Sequence, residues 1–501
     1  MSLRTNILAN YFGQGWTALM NIAFVPAYIS YLGIEAYGLI GFFVALQTCL
    51  SFLDMGMTPT LNRETALYTS GTRSAEYLGN LLRTIEVMCF SIGALIALTV
   101  HFASDGIAGS WIRPNLLSSA TVSKSVAVMG LILALRLCEG IYRGALLGLQ
   151  KQVSFNVLSA AFATLRYGGV LAVLAWISPT IYAFFVWQVL VSIGSLIVLA
   201  IAVYRGLPPS VVHSRFSQES LRRIWRFAGG MMGIAVLSLL LTQLDKLLLS
   251  RLVDLKAFGY YTLAAMVAAT IYMVIAPITQ AVYPRLVEMH AAGKQTDLVS
   301  LYHHSAQFVT VITAPVVVLL SLHAESVVFV WSGDMELARH VGPVLAILSI
   351  GAFLNGLMHI PYQLQLSHGW VSFALRVNII AVICMVPAII WSVSRYGTLG
   401  AAYCWLALNA GYALIGVQFM HRRLLTHEKW RWYFYDVLLP IVGAFACAIA
   451  MLPFRPTNMT GRPEWLVYLL AVGVFVLMAA GSLSSPIRKQ IWKTITAPAS
   501  S

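Results

Sequence analysis

The sequence predicts an all-α protein that crosses a membrane many times, in two pseudo-symmetric six-helix lobes followed by a C-terminal helix pair. Three observations predict it. Of 501 residues, 59% are hydrophobic and only 10% charged, against roughly 25% charged in a soluble domain. Apolar runs of about 20 residues recur from one end to the other, each enough to cross roughly 30 Å of hydrocarbon. Finally, short stretches of the first half return in the second half in the same order.

The elements follow in order, with boundaries good to about three residues. The opening "MSLRTNILANYFGQGWTALMNIAFVPAYISYLG" has one early Arg, but Asn10, Gln14 and Asn21 interrupt any signal-peptide core and no small-residue cleavage site follows. It reads as a retained first helix, 6–31. The next spans are 36–57, 80–103, 125–148, 153–177 and 180–204, the last two separated by Ser178-Pro179-Thr180. The seventh, 226–251, opens on "AGGMMGIAVLSLLL", and the eighth, 258–283, closes at Pro284. Then come 303–323, 341–366, 370–393, 397–420, 436–453 and 464–483. The last two are short or polar-flanked, so the count is about 14 with them and about 12 without.

Basic residues orient the chain. With the N-terminus inside, about 20 of the 32 Lys and Arg fall on the cytoplasmic side, about 8 outside and about 4 in mid-helix. Both termini are then cytoplasmic, and the net charge of +14 reflects topology rather than a nucleic-acid partner. The strongest inside loops, 204–227 and 421–436, mix Arg with Trp and Phe, which suits segments lying on an anionic surface or simple topology determinants. The six cysteines all fall inside apolar runs, as small core residues rather than staples.

The repeat pairs "YLGIEAYGLIGFF" (31–43) with "RLVDLKAFGYYTL" (251–263), each leading to a helix that ends near Pro, and "KQVSF" (151–155) with "GWVSF" (369–373). Six helices per repeat is an even number, so both halves enter the membrane in the same sense. The expected domains are an N-lobe at 1–205, an amphipathic linker at 206–225, a C-lobe at 226–422, and a linker with the last helix pair and tail at 423–501.

"LDKLLLSRLVDLKAFGYYTLA", "VYPRLVEMHAAGKQTDLVSLYHHSAQFVTVITAPVVVLL" and the opening "FVPAYISYLGIEAYGLIGFF…SFLDMGMTPTLNRETA" resemble the Wzx-type O-antigen flippases of the multidrug/oligosaccharidyl-lipid/polysaccharide exporter superfamily. The resemblance implies a V-shaped inner-membrane bundle that moves undecaprenyl-diphosphate-linked oligosaccharides from the cytoplasmic to the periplasmic leaflet. Membrane lipids, a polysaccharide polymerase and chain-length proteins are the partners it implies. The helix pair after residue 436 is a departure from short members of that family.

Several charged groups sit where lipid tolerates them least. On the fourth helix, Arg136, Glu139 and Arg143 share one face. Glu139 can pair with Arg143 at i+4, leaving Arg136 uncompensated; guanidinium suits a diphosphate, so Arg136, with help from Arg143, is the first candidate to attract an anionic head group, with Arg166 and Arg376 as further candidates. The competing reading is an inter-helix salt-bridge network. Arg166 can line the same cavity or neutralise Glu139, and Arg376 lies nearer the inner surface, where it can snorkel. Adjacent helical residues point about 100° apart, so Asp245 and Lys246 are not expected to pair with each other. Asp245 is a candidate gate residue, a proton- or sodium-coupling site, or a structural bridge, and Lys246 and Glu139 are further gate or ion-coupling candidates. Asp54, Arg63, Arg83 and Glu86 gather at the inner end of the N-lobe, with Arg83 and Glu86 as i,i+3 partners. Asn355 and His359 are spaced to reach sugar hydroxyls, while His303 and His304 are expected at the interface.

No metal cluster, phosphate-cradling loop or nucleophile motif is visible, and "GALLGLQ" is glycine for helix packing. No cofactor is expected, and coupling would come from a proton or sodium gradient or from substrate supply. A lipid-linked oligosaccharide flippase is therefore favoured over two alternatives. A cation-coupled multidrug antiporter would want buried carboxylates in excess, whereas the mid-helix groups are mostly basic. A polysaccharide polymerase or glycosyltransferase would want a larger external surface than loop 101–124 supplies.

Overall fold

With no water in hydrocarbon to satisfy backbone N–H and C=O groups, a lipid-facing chain must bond them within each helix. The computed structural model obeys this. It describes residues 3–209, 211, 214–456 and 461–484, and among them there is no strand. The helices are α1 (Leu3–Ala23), α2 (Val25–Leu50), α3 (Met57–Thr69), α4 (Ala75–Gly106), α5 (Ser119–Gly148), α6 (Gln152–Ala163), α7 (Gly169–Trp176), α8 (Ile181–Tyr204), α9 (Gln218–Leu252) and α10 (Leu255–Ala268). They continue as α11 (Thr270–Ala291), α12 (Gln295–Leu322), α13 (Ala324–Ser332), α14 (Met335–Leu357), α15 (His359–Ser367), α16 (Val371–Gly411), α17 (Val417–Arg423), α18 (Lys429–Arg431), α19 (Leu439–Met451) and α20 (Arg462–Leu483). Among the described residues, eleven helical stretches are long and apolar enough to cross a membrane. One of these, Ser372–Arg423, is bent at Gly397, whose φ of 58° no ordinary helix residue adopts. Large apolar side chains such as Leu98, Ile197, Ile383 and Val474 point outward, as lipid-facing positions should.

The chain packs as two compact units, Met1–Gly259 and Tyr260–Ser501. The division falls later than the lobe boundary drawn near residue 225, because α9 packs on α2 and α4. The core of the first unit gathers Met57 and Leu61 of α3, Leu82 and Ile85 of α4, Ile141 and Leu146 of α5, and Val203 of α8. Gly144 and Gly148 let α5 press on the Thr58 and Asn62 carbonyls of α3, the packing use expected of "GALLG". In the second unit, α12 is the central helix, with α11, α14, α19 and α20 around it. Ala444 and Ala448 of α19 and Val472, Val476 and Ala480 of α20 are buried in that core, so the C-terminal pair is part of the unit's packing. Of the cysteines expected inside, Cys49, Cys89 and Cys138 are buried, but Cys384 is exposed. Apolar sequence marks lipid contact as readily as core, which is why that expectation fails for Cys384.

The sequence repeat has a structural counterpart. "GIEAYG" and "DLKAFG" place Gly38 and Gly259 in equivalent positions, and within the first unit these glycines pack on each other's helices. A Cβ on Gly38 would strike the Leu255 carbonyl oxygen, and one on Gly259 the Ile34 carbonyl oxygen. Gly259→Val should therefore force α2 and α10 apart at a cost of about 1–3 kcal/mol, seen as a lower unfolding temperature in detergent. An unchanged transition would show that this crossing is slack. Nearby, Glu35 is buried and accepts the backbone N–H groups of Asn115, Leu116 and Leu117 at 2.7, 2.8 and 3.2 Å. Trp111 Nε1 donates to Ser250 Oγ at 3.0 Å, and Arg251 lies over the Trp111 ring.

In the second unit the His290 ring, at the end of α11, lies against that of His368, just past α15, with centroids 3.8 Å apart and the planes tilted by 38°. Burial, reinforced by the His290 charge, holds the His368 imidazole below the usual histidine range, although its Nδ1–H donates to the Leu364 carbonyl at 2.9 Å. The unfolded chain therefore takes up this proton first as pH falls below about 6.5, and the stability present above that value is lost on acidification. His368→Gln should flatten the fall in unfolding temperature between about pH 7 and pH 5. An equal acid loss in wild type and variant would contradict it.

Candidate functional site

The polar heart of the first unit is built on a π-helical turn. Residues Thr164–Gly168 run between α6 and α7 as a single π turn, a distortion that frees carbonyls from the helix ladder and often marks functional sites. Neighbouring side chains take up those carbonyls. Trp187 Nε1 donates to Leu165 O at 2.8 Å, Gln188 Nε2 donates to Arg166 O at 3.2 Å, and the Tyr28 hydroxyl donates to Tyr167 O. The turn is thus held rigid with Arg166 on it.

Arg166 Nη2 lies 3.2 Å from Glu139 Oε1 on α5 and 3.3 Å from Ser192 Oγ on α8, with both charged side chains about 15% exposed. Arg136, one turn before Glu139, donates to Gln47 Oε1 of α2 and to Gln188 Oε1 at 3.2 Å, and its guanidinium lies 5.1 Å from the Phe43 ring centroid. The Nε atoms of Arg136 and Arg166 are buried with no hydrogen-bond partner among the described residues. Two guanidiniums stand against one carboxylate, so the cluster carries one positive charge matched only by neutral amide oxygens. Such a site favours an anion with several acceptor oxygens.

Three predicted residues, Arg136, Glu139 and Arg166, come together here. The i+4 pairing of Glu139 with Arg143 does not form: Arg143 is exposed and lies over the Phe155 ring at 5.4 Å, while Arg166 takes the carboxylate. A buried carboxylate gains more from a guanidinium fixed in the same low-dielectric pocket than from one on an exposed rotamer. Gln47, Gln188, Ser192 and Phe43 escaped sequence reading, since neutral side chains in an apolar helix carry no signal of their own.

Asp245 and Lys246 depart from expectation. Asp245 is buried, and Lys246 Nζ curls back to 3.5 Å from its Oδ1 while donating to Thr242 O at 3.3 Å. Adjacent Cα–Cβ bonds do diverge, but the flexible lysine stem spans the gap. In the first unit, Arg83 and Glu86 pair at 3.2 Å as expected, and Glu86 also accepts the Tyr142 and Tyr204 hydroxyls at 2.8 and 2.7 Å. Asp54 instead caps α3 through Thr58, and Arg63 is exposed.

The second unit holds a cavity of about 210 Å³ whose polar lining includes Asn355, His359, Gln365, Asn378 and Tyr412, with Phe373 as an aromatic wall. Asn355 Nδ2 donates to Asn409 Oδ1 at 2.7 Å, and His359 Nδ1–H donates to Asn355 O at 3.1 Å, leaving Nε2 as an acceptor. The Tyr412 hydroxyl donates to Asn378 at 3.2 Å. Both predicted sugar-contact residues, Asn355 and His359, therefore line one cavity, whereas Arg376 is exposed and outside it. His303, expected at the interface, is instead buried between carboxylates, and His304 is exposed.

Among the described residues the chain is helical with many candidate membrane spans around a cluster of two guanidiniums and one carboxylate, which makes it a polytopic helical membrane protein. Its fold is similar to that of the lipid II flippase MurJ in an inward closed conformation, with a TM-score of 0.70 over 97% of this chain and 99% of that one at 13% identity. It is also similar to an inward-facing MATE multidrug-resistance transporter of the MOP superfamily, with a TM-score of 0.66 over 81% of this chain and 94% of that one at 14% identity. The family model described as polysaccharide biosynthesis protein matches residues 3–290, and the chain belongs to that family. A relative from Shigella flexneri, described as "Putative O-antigen transporter", is 22% identical over 405 residues, which cover 81% of this chain and 94% of the relative.

Proposed function

We propose that this protein is a flippase for lipid-linked oligosaccharide, carrying an undecaprenyl-diphosphate-linked repeat unit from the cytoplasmic to the periplasmic leaflet of a bacterial inner membrane by alternating access. The observation that carries the reading is the uncompensated guanidinium of Arg136, fixed by Gln47 and Gln188 beside an Arg166 already committed to Glu139. A diphosphate offers the multidentate acceptors such a group lacks. Asn355 and His359, with the aromatic wall of their cavity, suit sugar hydroxyls. The description of the Shigella relative supports the same substrate class.

In this reading Arg136 attracts the head group, Arg166 and Glu139 hold the site's geometry, and the exposed Arg143 and Arg376 act at most in its approach. Asp245 with Lys246 is the candidate gate or ion-coupling pair, and coupling draws on a proton or sodium gradient. Both termini face the cytoplasm, and a polymerase and chain-length proteins receive the product. A multidrug-cation antiporter is disfavoured because Glu139, its natural cation ligand, is neutralised by Arg166.

The test is flipping of a fluorescent undecaprenyl-diphosphate-glycan in proteoliposomes, with and without proton and sodium gradients. Transport that depends on the diphosphate supports the assignment. A folded protein that moves no such lipid under any gradient overturns it.

A further inference from the structure

The second unit holds a polar cluster that the head-group site does not use. His303 is buried on α12. Its Nδ1 contacts Asp436 Oδ2, in the π-helical stretch Trp432–Leu438, and its Nε2 lies 2.9 Å from Glu428 Oε2. Asp436 is buried, Glu428 is partly exposed, and Arg431 reaches Glu428 at 3.5 Å. Gln307 Nε2 donates to Tyr435 O at 2.7 Å, fastening the same stretch to α12.

Proton counting constrains this arrangement. A neutral imidazole has one N–H and can donate from one nitrogen only. The other nitrogen would then point a lone pair at carboxylate oxygen, a repulsive contact in place of a hydrogen bond. Both contacts close only when one further proton is present, on the ring or on a carboxyl. With the ring protonated, His303 and Arg431 balance Asp436 and Glu428. Without that proton the cluster keeps a net negative charge at the buried Asp436.

The surrounding titratable groups do not supply a substitute cation inside the pocket. On α12 these are Tyr302 and the exposed His304; α17 offers His421, whose Nε2 lies 3.3 Å from the Tyr302 hydroxyl. Lys429 is engaged with Gln418 at 2.8 Å, and Tyr433 donates to Ala413 O at 2.6 Å. Arg285 and Glu288 of α11 are exposed and pair with each other at 3.7 Å. Cys447 is α19's ionisable side chain, and Arg462 of α20 is tied to Val330 O at 2.7 Å.

We propose that Asp436, His303 and Glu428 form a binding site for a single exchangeable proton, which when filled ties the root of the C-terminal helix pair to α12. Trp432, buried between the two carboxylates in sequence, and α19 and α20 beyond it complete the core around α12. Loss of the proton turns one of the two imidazole contacts repulsive and loosens that attachment. Water reaches the cluster at Glu428, on the side that the basic-residue bias assigns to the cytoplasm. The site thus lets proton occupancy act on the packing of this unit, whatever lipid the protein carries.

The experiment is thermal unfolding of the full chain in nanodiscs across about pH 5 to 8, comparing wild type with Asp436→Asn and Glu428→Gln. Because the native state holds the extra proton, wild-type stability relative to either variant should fall as pH rises, with a slope of about one proton per molecule. The variants, whose amides can donate or accept without an added proton, should lack that component. If Asp436→Asn fails to fold, the partly exposed Glu428→Gln still reads the difference. Identical pH slopes in wild type and a folded variant, or a wild type with no such component, would overturn the proposal. The measurement needs no substrate, so a failure of the flippase assignment leaves it interpretable.

Discussion

Arg136→Ala is expected to give a folded protein that has lost its hold on the anionic head group. The side chain it removes is bonded to the neutral amide oxygens of Gln47 and Gln188 and packed on Phe43, so no opposite charge is orphaned by its loss. What disappears is the one positive charge in the cluster without a carboxylate partner. Truncating one side of a buried, hydrogen-bonded charge contact costs roughly 2–5 kcal/mol of binding, which at about 1.4 kcal/mol per decade is a loss of roughly 30-fold or more. Titration with a short-chain prenyl diphosphate should show that weakening, and the flipping rate at limiting substrate should fall with it. Arg136→Lys, which keeps the charge but not the planar fork, should lie between. Normal binding and flipping by Arg136→Ala would remove the head group from this site.

Arg166→Ala should act on the fold itself. Its partner Glu139 has a side chain about 15% exposed and finds no other cation at hydrogen-bonding distance among the described residues. Breaking a buried ion pair from one side costs about 3–5 kcal/mol, because the remaining charge stays in low dielectric. The variant should therefore lose most of its thermal stability in detergent. Pairing it with Glu139→Gln should restore much of the loss, since removing both charges together avoids the orphan. A double variant no more stable than Arg166→Ala alone would mean that the π turn, with its carbonyls held by Trp187 and Gln188, fails for reasons of packing.

These two substitutions also show where sequence reading reached its limit. Periodicity put Arg136, Glu139 and Arg143 on one face of a helix, and that much survives. It did not reveal that Arg143 would turn outward to Phe155 or that Glu139 would be claimed from another helix, 27 positions away in sequence. Helical spacing constrains partners within an element and says nothing of which element will lie opposite. The cluster of His303 with Asp436, separated by 133 positions, lies wholly beyond such reasoning; His303 looked like an interfacial residue because its helix begins there. Asp245 and Lys246 failed in the other direction: ideal Cβ vectors ruled out a contact that a flexible side chain makes.

By itself, the sequence determined that this chain lives in a membrane as a set of long helices, that short stretches of its halves echo one another, and that the charges in mid-helix are mostly basic. Those properties are local sums: apolar length against bilayer thickness, spacing along a helix, and the cost of ions in hydrocarbon. Only the tertiary structure decided that Arg166 rather than Arg136 takes the Glu139 carboxylate, that Gly38 and Gly259 meet, and that Asp436 and Glu428 both close on His303 of α12. Each of these depends on groups from different helices arriving within hydrogen-bonding or van der Waals distance, and the packing that brings them there is a property of the whole chain.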